Sequence, residues 1–140
     1  MSIETRIAWL KAGSFITIGF GVVIVMAAIP ALQAPTRMML DFVFFPVDGL
    51  QDMSTGPVRL LSAITGGILV GWGIMLRMVA TQLLANNPGL ARRLILVSIF
   101  TWFSIDSSMS IAAGAPLNVV GNLGFLAVFV LPVWGLKTDS

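Results

Sequence analysis

The chain has 140 residues, 57% of them hydrophobic and only 10% charged, with a formal net charge of +2. A soluble domain carries about 25% charged residues, so this chain has too little polar surface for water. Its mean hydropathy of +0.98 also excludes a disordered chain, and what fits is a small integral membrane protein.

The sequence contains no His, no Cys and no Tyr. Disulfides, thiolate nucleophiles and metal thiolate sites are therefore excluded. So are imidazole-ligated haem and serine–histidine chemistry. The eight Lys and Arg residues are scattered and form no basic face, which argues against nucleic acid. The eight Met residues read as adaptable packing rather than metal ligands.

A membrane-spanning helix needs roughly 20 mostly apolar residues. The first predicted span is residues 12–32, bounded by Lys11 and, further on, Arg37, with Pro30 ending or kinking its last turn. Its tail, Ala31-Leu32-Gln33-Ala34, superficially resembles a signal-peptidase site. However, Leu32 stands where a small residue belongs, and Pro35 would follow the scissile bond. The segment reads as an uncleaved span. Residues 33–56 then connect to the second span. Their apolar stretch, about 36–46, predicts a short interfacial or re-entrant helix, or one capping the outer mouth of the bundle, because Phe42, Phe44 and Phe45 would be costly in water. Asp41, Asp48 and Asp52 are expected to form a solvated acidic rim.

The second span covers residues 57–85, with Arg59 and Arg77 reaching the interfaces along their apolar stems. Asn86-Asn87-Pro88-Gly89 is a turn, the third span is 94–113, and the fourth is 116–136, closed by Lys137. Gly114-Ala115-Pro116 leaves only a tight connection, so the last two spans form an antiparallel hairpin. Trp9, Trp72 and Trp134 lie near predicted span ends and read as interfacial anchors. Six Lys/Arg fall on the side of the termini and two, Arg37 and Arg59, on the other, which places both termini in the cytoplasm.

Packing between spans depends on small residues. Ser62 to Gly66, and Ala63 to Gly67 to Gly71, are two four-residue ridges on the second span; Gly13, Thr17 and Gly21 repeat the interval on the first. Gly66, Gly67 and Gly71 are the candidate packing glycines. They serve either a seam within one chain or a homodimer.

Asp106 is the one ionisable residue deep within a span, 13 residues after Arg93 and 8 before Gly114. A central Asp costs roughly 2.5 to 3.5 kcal/mol on insertion scales, so such residues are functional-site candidates. Ser110 lies one turn away. Asn118 and Asn122 share a face of the fourth span, and Asn122 and Thr65 reach the depth of Asp106. A polar cluster of Asp106, Ser110, Asn118, Asn122 and Thr65 is therefore expected. It acts either as a structural clamp or as a site for a proton, cation or polar ligand. Trp102, Phe103, Phe125 and Phe129 are the candidate contacts for an apolar ligand.

The stretch Arg59-Leu60-Leu61-Ser62-Ala63-Ile64-Thr65-Gly66-Gly67-Ile68-Leu69-Val70-Gly71-Trp72-Gly73 resembles the second helix of small bacterial four-helix membrane proteins of the DoxX-like kind. The resemblance covers about one span and the four-helix layout, and it implies a bacterial plasma-membrane location. The Asp106, Asn118 and Asn122 region has no counterpart in it, so it implies no site residue.

These readings define an all-α chain with one domain. It is a four-helix transmembrane bundle with cytoplasmic termini and an outer interfacial or re-entrant segment between its first two helices. The leading functional expectation is a non-enzymatic accessory, assembly or interaction module. The alternatives are an oligomeric proton- or cation-coupled small transporter using Asp106, and a binder of lipid, quinone or pigment. No catalytic residue, cofactor or metal is expected. The expected partners are membrane lipids, with other membrane subunits or further copies of the chain as candidates.

Overall fold

The computed structural model describes residues 1–136; Lys137, expected to close the last span, lies outside the described residues. All regular structure among the described residues is helical: α1 (Ile3–Met26), α2 (Ala34–Phe44), α3 (Gly56–Met78), α4 (Pro88–Ala112) and α5 (Leu117–Val133). A 3-10 turn at Pro30–Leu32 follows α1, and a π-helical turn at Val79–Leu83 prolongs α3. Three helical stretches, Ile3–Met26, Gly56–Leu83 and Pro88–Ala112, are long and apolar enough to cross a membrane, and α5 is apolar but shorter.

Local chemistry sets the helix ends. Ser2 accepts a hydrogen bond from the Thr5 N–H, so α1 begins at Ile3, well before the uncharged run. It stops at Met26, earlier than the expected end at residue 32. Pro30 has no N–H to donate, and the residue before it, Ile29, is extended (φ −99°, ψ 118°). Asn87 accepts from the Leu90 N–H at 3.0 Å with Pro88 as the first helical residue. This cap starts α4 six residues ahead of the expected 94 and places Arg92 and Arg93 in its first turns.

α1 and α3 form the closest pair. A Cβ placed on Gly66 would come within 2.5 Å of the Gly21 carbonyl oxygen and the Val25 nitrogen. One on Gly21 would come within 2.8 Å of the Gly66 carbonyl oxygen. Ser14 and Thr17 line the same seam and turn their hydroxyls back to the Leu10 and Gly13 carbonyls, so no polar atom is stranded. The expected packing glycines divide within the chain. Gly66 is in the seam, but a Cβ on Gly67 or Gly71 would meet nothing within 4 Å. Seven residues on from Gly66, Gly73 is the second member of the seam, against Ser14 and Ile18. Gly67 and Gly71 lie on the neighbouring ridge, which faces outward.

The end of the bundle that holds the start of α1 and the end of α5 is closed. Leu10, Leu76, Ala80, Leu84, Ala91, Ile95, Ile99, Phe129 and Val133 form its buried core. The Arg6 guanidinium donates to the Pro132 and Trp134 carbonyls and so caps α5. At the opposite end, polar side chains satisfy the carbonyls exposed where α1 stops. Thr36 donates to Val23, Gln33 to Ala27 and Met53, and Arg59 to Ala28 at 2.8 Å. These bonds seat α2 across the bundle end. Its Met38 and Phe42 face outward, 69% and 66% exposed. Of the expected acidic rim, Asp48 and Asp52 are exposed, whereas Asp41 is buried on a different side of α2 from Met38 and Phe42. Hydrogen bonds from Ser54 hold the Asp52 carboxyl below its ordinary value.

The seam makes a paired prediction. Gly66→Ala drives a methyl group into backbone atoms and should lower stability by about 1–3 kcal/mol. Gly67→Ala meets open space and should be neutral, or stabilising by up to about 1 kcal/mol through helix propensity. Unfolding of both variants in detergent, followed by circular dichroism, checks the pair.

Candidate functional site

The short α4–α5 connection fixes the register of the hairpin and with it the site. Gly114 has φ +77°, a conformation glycine adopts without Cβ strain. The turn brings the last two turns of α4 against the first two of α5. Asp106 then faces Asn118 and Asn122 across the hairpin. Asn118 Nδ2 and Asn122 Nδ2 both donate to Asp106 Oδ1, at 2.9 and 2.6 Å, and Ser110 Oγ donates to the same oxygen at 3.3 Å. Asn118 Nδ2 also donates to Ser110 Oγ at 2.9 Å, and Asn122 Nδ2 to Ser107 Oγ at 3.1 Å.

This network borders a cavity of about 790 Å³ between the α1–α3 pair and the α4–α5 hairpin. Ile16, Phe20 and Ile24 of α1 form one wall, and Thr65 and Leu69 of α3 continue it. Met39, Leu40, Val43 and Phe44 of α2 close over one end. Trp102 and Phe125 face it below the polar network. Their ring centroids are 5.1 Å apart at a tilt of 59°, and Trp72 and Phe129 extend the aromatic cluster behind them. Asp106 is the single ionisable side chain among the described residues that line the cavity.

The expected residues therefore divide. Asp106, Ser110, Asn118 and Asn122 are brought together. Thr65 lines the same cavity but makes no hydrogen bond to that network. Trp102 and Phe125 line the cavity, whereas Phe129 is fully buried behind Phe125 and Phe103 is half-buried away from the cavity. Trp72 is not a span-end anchor but packs on Trp102 with a centroid separation of 5.8 Å. Sequence reasoning missed the role of Ser107 as a partner of Asn122. It also missed Gly121 and Gly124, which open the cavity's α5 wall. The signal for the glycines is their place on the face that carries Asn118, Asn122, Phe125 and Val128.

Compared with known proteins, the chain matches no protein-family model, no curated protein and no solved structure. The likeness of the Arg59–Gly73 stretch to DoxX-like proteins thus stays a local likeness of one helix, and the site has to be read from its own geometry.

Removing one partner of a buried hydrogen-bonded group costs about 1–3 kcal/mol. Asn122→Ala should therefore destabilise the chain by an amount in that range. A double-mutant cycle with Asp106→Asn should return a coupling energy between 0.5 and 3 kcal/mol, about the range seen for contacting residues. Additive losses in detergent unfolding would show that the two side chains do not act on each other.

Proposed function

We propose that this chain is a small, non-enzymatic integral membrane protein that binds an amphipathic small molecule in the cavity beside Asp106. The observation that carries the reading is the cavity itself. Its volume lies within the roughly 300–1,000 Å³ of small-molecule sites, and it has the usual composition of such sites, apolar walls with a few convergent polar groups. A ligand with an apolar body and a polar end fits this division. The body would lie among Phe20, Leu69, Trp102 and Phe125, and the polar end at Asp106, Asn118 and Asn122.

In this reading all four long helices cross the membrane. α5 is about 26 Å long at 1.5 Å per residue, which is short for a 30 Å hydrocarbon layer. Pro116 and residues 134–136 extend its reach. The excess of Lys and Arg at the closed end supports cytoplasmic termini. α2 then lies at the outer surface with Met38 and Phe42 dipping into lipid, and the bacterial inner membrane is the proposed location. Membrane lipids are the natural source of such ligands. Ligand binding is preferred to a purely accessory or assembly role because the cavity provides a defined place for a small molecule.

Gly121 and Gly124 provide the test. A Cβ at either position meets nothing within 4 Å, and both border the cavity. Gly124→Phe should fill the space without disturbing the bundle. A neutral lipophilic dye such as Nile red, titrated in nanodiscs, should bind the native chain at least ten-fold more tightly than the variant. Unfolding midpoints should stay equal. Equal dye binding by both proteins would contradict the reading.

A further inference from the structure

The charge of the polar wall identifies the class of ligand, on the reading of the cavity given above. Every hydrogen-bond partner of Asp106 is neutral: two amides and a hydroxyl. No Lys or Arg is among the described residues lining the cavity. The guanidinium nearest in sequence on the facing helix, Arg59, is committed to the Ala28 carbonyl at the bundle end. Amides and hydroxyls disperse a carboxylate's charge but do not neutralise it, so an ionised Asp106 places one unpaired negative charge among apolar walls. In such surroundings an unpaired charge is costly, and a counter-charge relieves that cost.

The donor inventory points the same way. Asn118 and Asn122 spend their side-chain N–H groups on Asp106 Oδ1, Ser107 and Ser110. What the network leaves to a ligand is acceptors: the second carboxylate oxygen and the two amide oxygens. An anionic head, such as a fatty acid's, would meet the like charge of an ionised Asp106, with only the Thr65 hydroxyl and the Trp102 indole N–H left among the lining side chains to donate to it. Beside these acceptors, Trp102 and Phe125 present rings at the cavity wall, and aromatic faces attract organic cations. Trp102 lies one helical turn from Asp106, so ring and carboxylate bound the same part of the space.

We propose that the cavity selects a lipophilic organic cation, an amine or quaternary ammonium on an apolar body, with Asp106 as its counter-charge and Trp102 and Phe125 as its aromatic walls.

Tetraphenylphosphonium and tetraphenylborate have nearly the same shape and opposite charge, and they test this on the native chain. Both are titrated by equilibrium dialysis against nanodiscs of zwitterionic phosphatidylcholine, with Gly124→Phe nanodiscs subtracting partition into lipid. Net binding of the cation at least ten-fold tighter than that of the anion is expected. Asp106→Asn, which keeps the side chain's size and one acceptor oxygen for the network, should abolish the preference for the cation. Trp102→Leu should weaken the cation more than the dye. If Nile red binds and Gly124→Phe blocks it, but the two ions bind equally or the anion binds better, the charge assignment is overturned and the cavity reading stands. If neither the dye nor either ion binds above the Gly124→Phe reference, both are overturned.

Discussion

A carboxyl group set among apolar helix faces must find its hydrogen bonds within the protein, and here that duty falls on one hairpin. Asn118, Asn122 and Ser110 converge on Asp106 Oδ1. They do so because the tight Gly114 turn gives α4 and α5 a single register. Slipping that register by one residue would rotate the asparagines about 100° away and leave the carboxyl group without partners. The network therefore does for this hairpin what a polar residue in a coiled-coil seam does for its partners: it costs stability and fixes the pairing.

The cavity follows from how the remaining helices are held. α1 and α3 are drawn together along a backbone-to-backbone glycine seam at Gly21, Gly66 and Gly73. The core around Leu76, Ile95 and Phe129 joins that pair to the hairpin at the closed end. Farther along, Gly121 and Gly124 withhold side chains from the α5 wall, and the gap is left beside Asp106. Small residues thus act in two opposite ways. In the seam they permit contact, and on α5 they preserve space. α2 covers one end of this half-open space, since Thr36, Gln33 and Arg59 anchor its end of the bundle to the carbonyls left exposed where α1 stops.

The helical class and the Asp106 hairpin were legible in the sequence. Hydropathy marks the apolar segments, and a short turn lets depth be counted from a known point on both sides, which placed Asn122 level with Asp106. Depth does not fix direction around a helix, and that is where reading failed. Thr65 is level with the network yet reaches only the cavity, and Gly67 and Gly71 repeat the spacing of the seam one ridge away from it. Trp72 looked like an interfacial anchor because it lies near a predicted span end, but the rotation of α3 turns it onto Trp102. A short helix in the interface or capping the outer mouth was expected from the apolar run, but the bonds that seat it were not visible, because they join residues distant in sequence.

The central claim is that a small amphiphile resides between the two helix pairs, beside Asp106. Photo-crosslinking tests it most directly. A long-chain alkylamine bearing a diazirine in its tail is bound in nanodiscs, irradiated, and mapped by peptide mass spectrometry. Label is expected on cavity residues such as Phe20, Leu69, Trp102 and Phe125, displaced by excess unlabelled amine. Label confined to outward-facing residues such as Leu60, Ile68 and Val97, with no displacement, would contradict it.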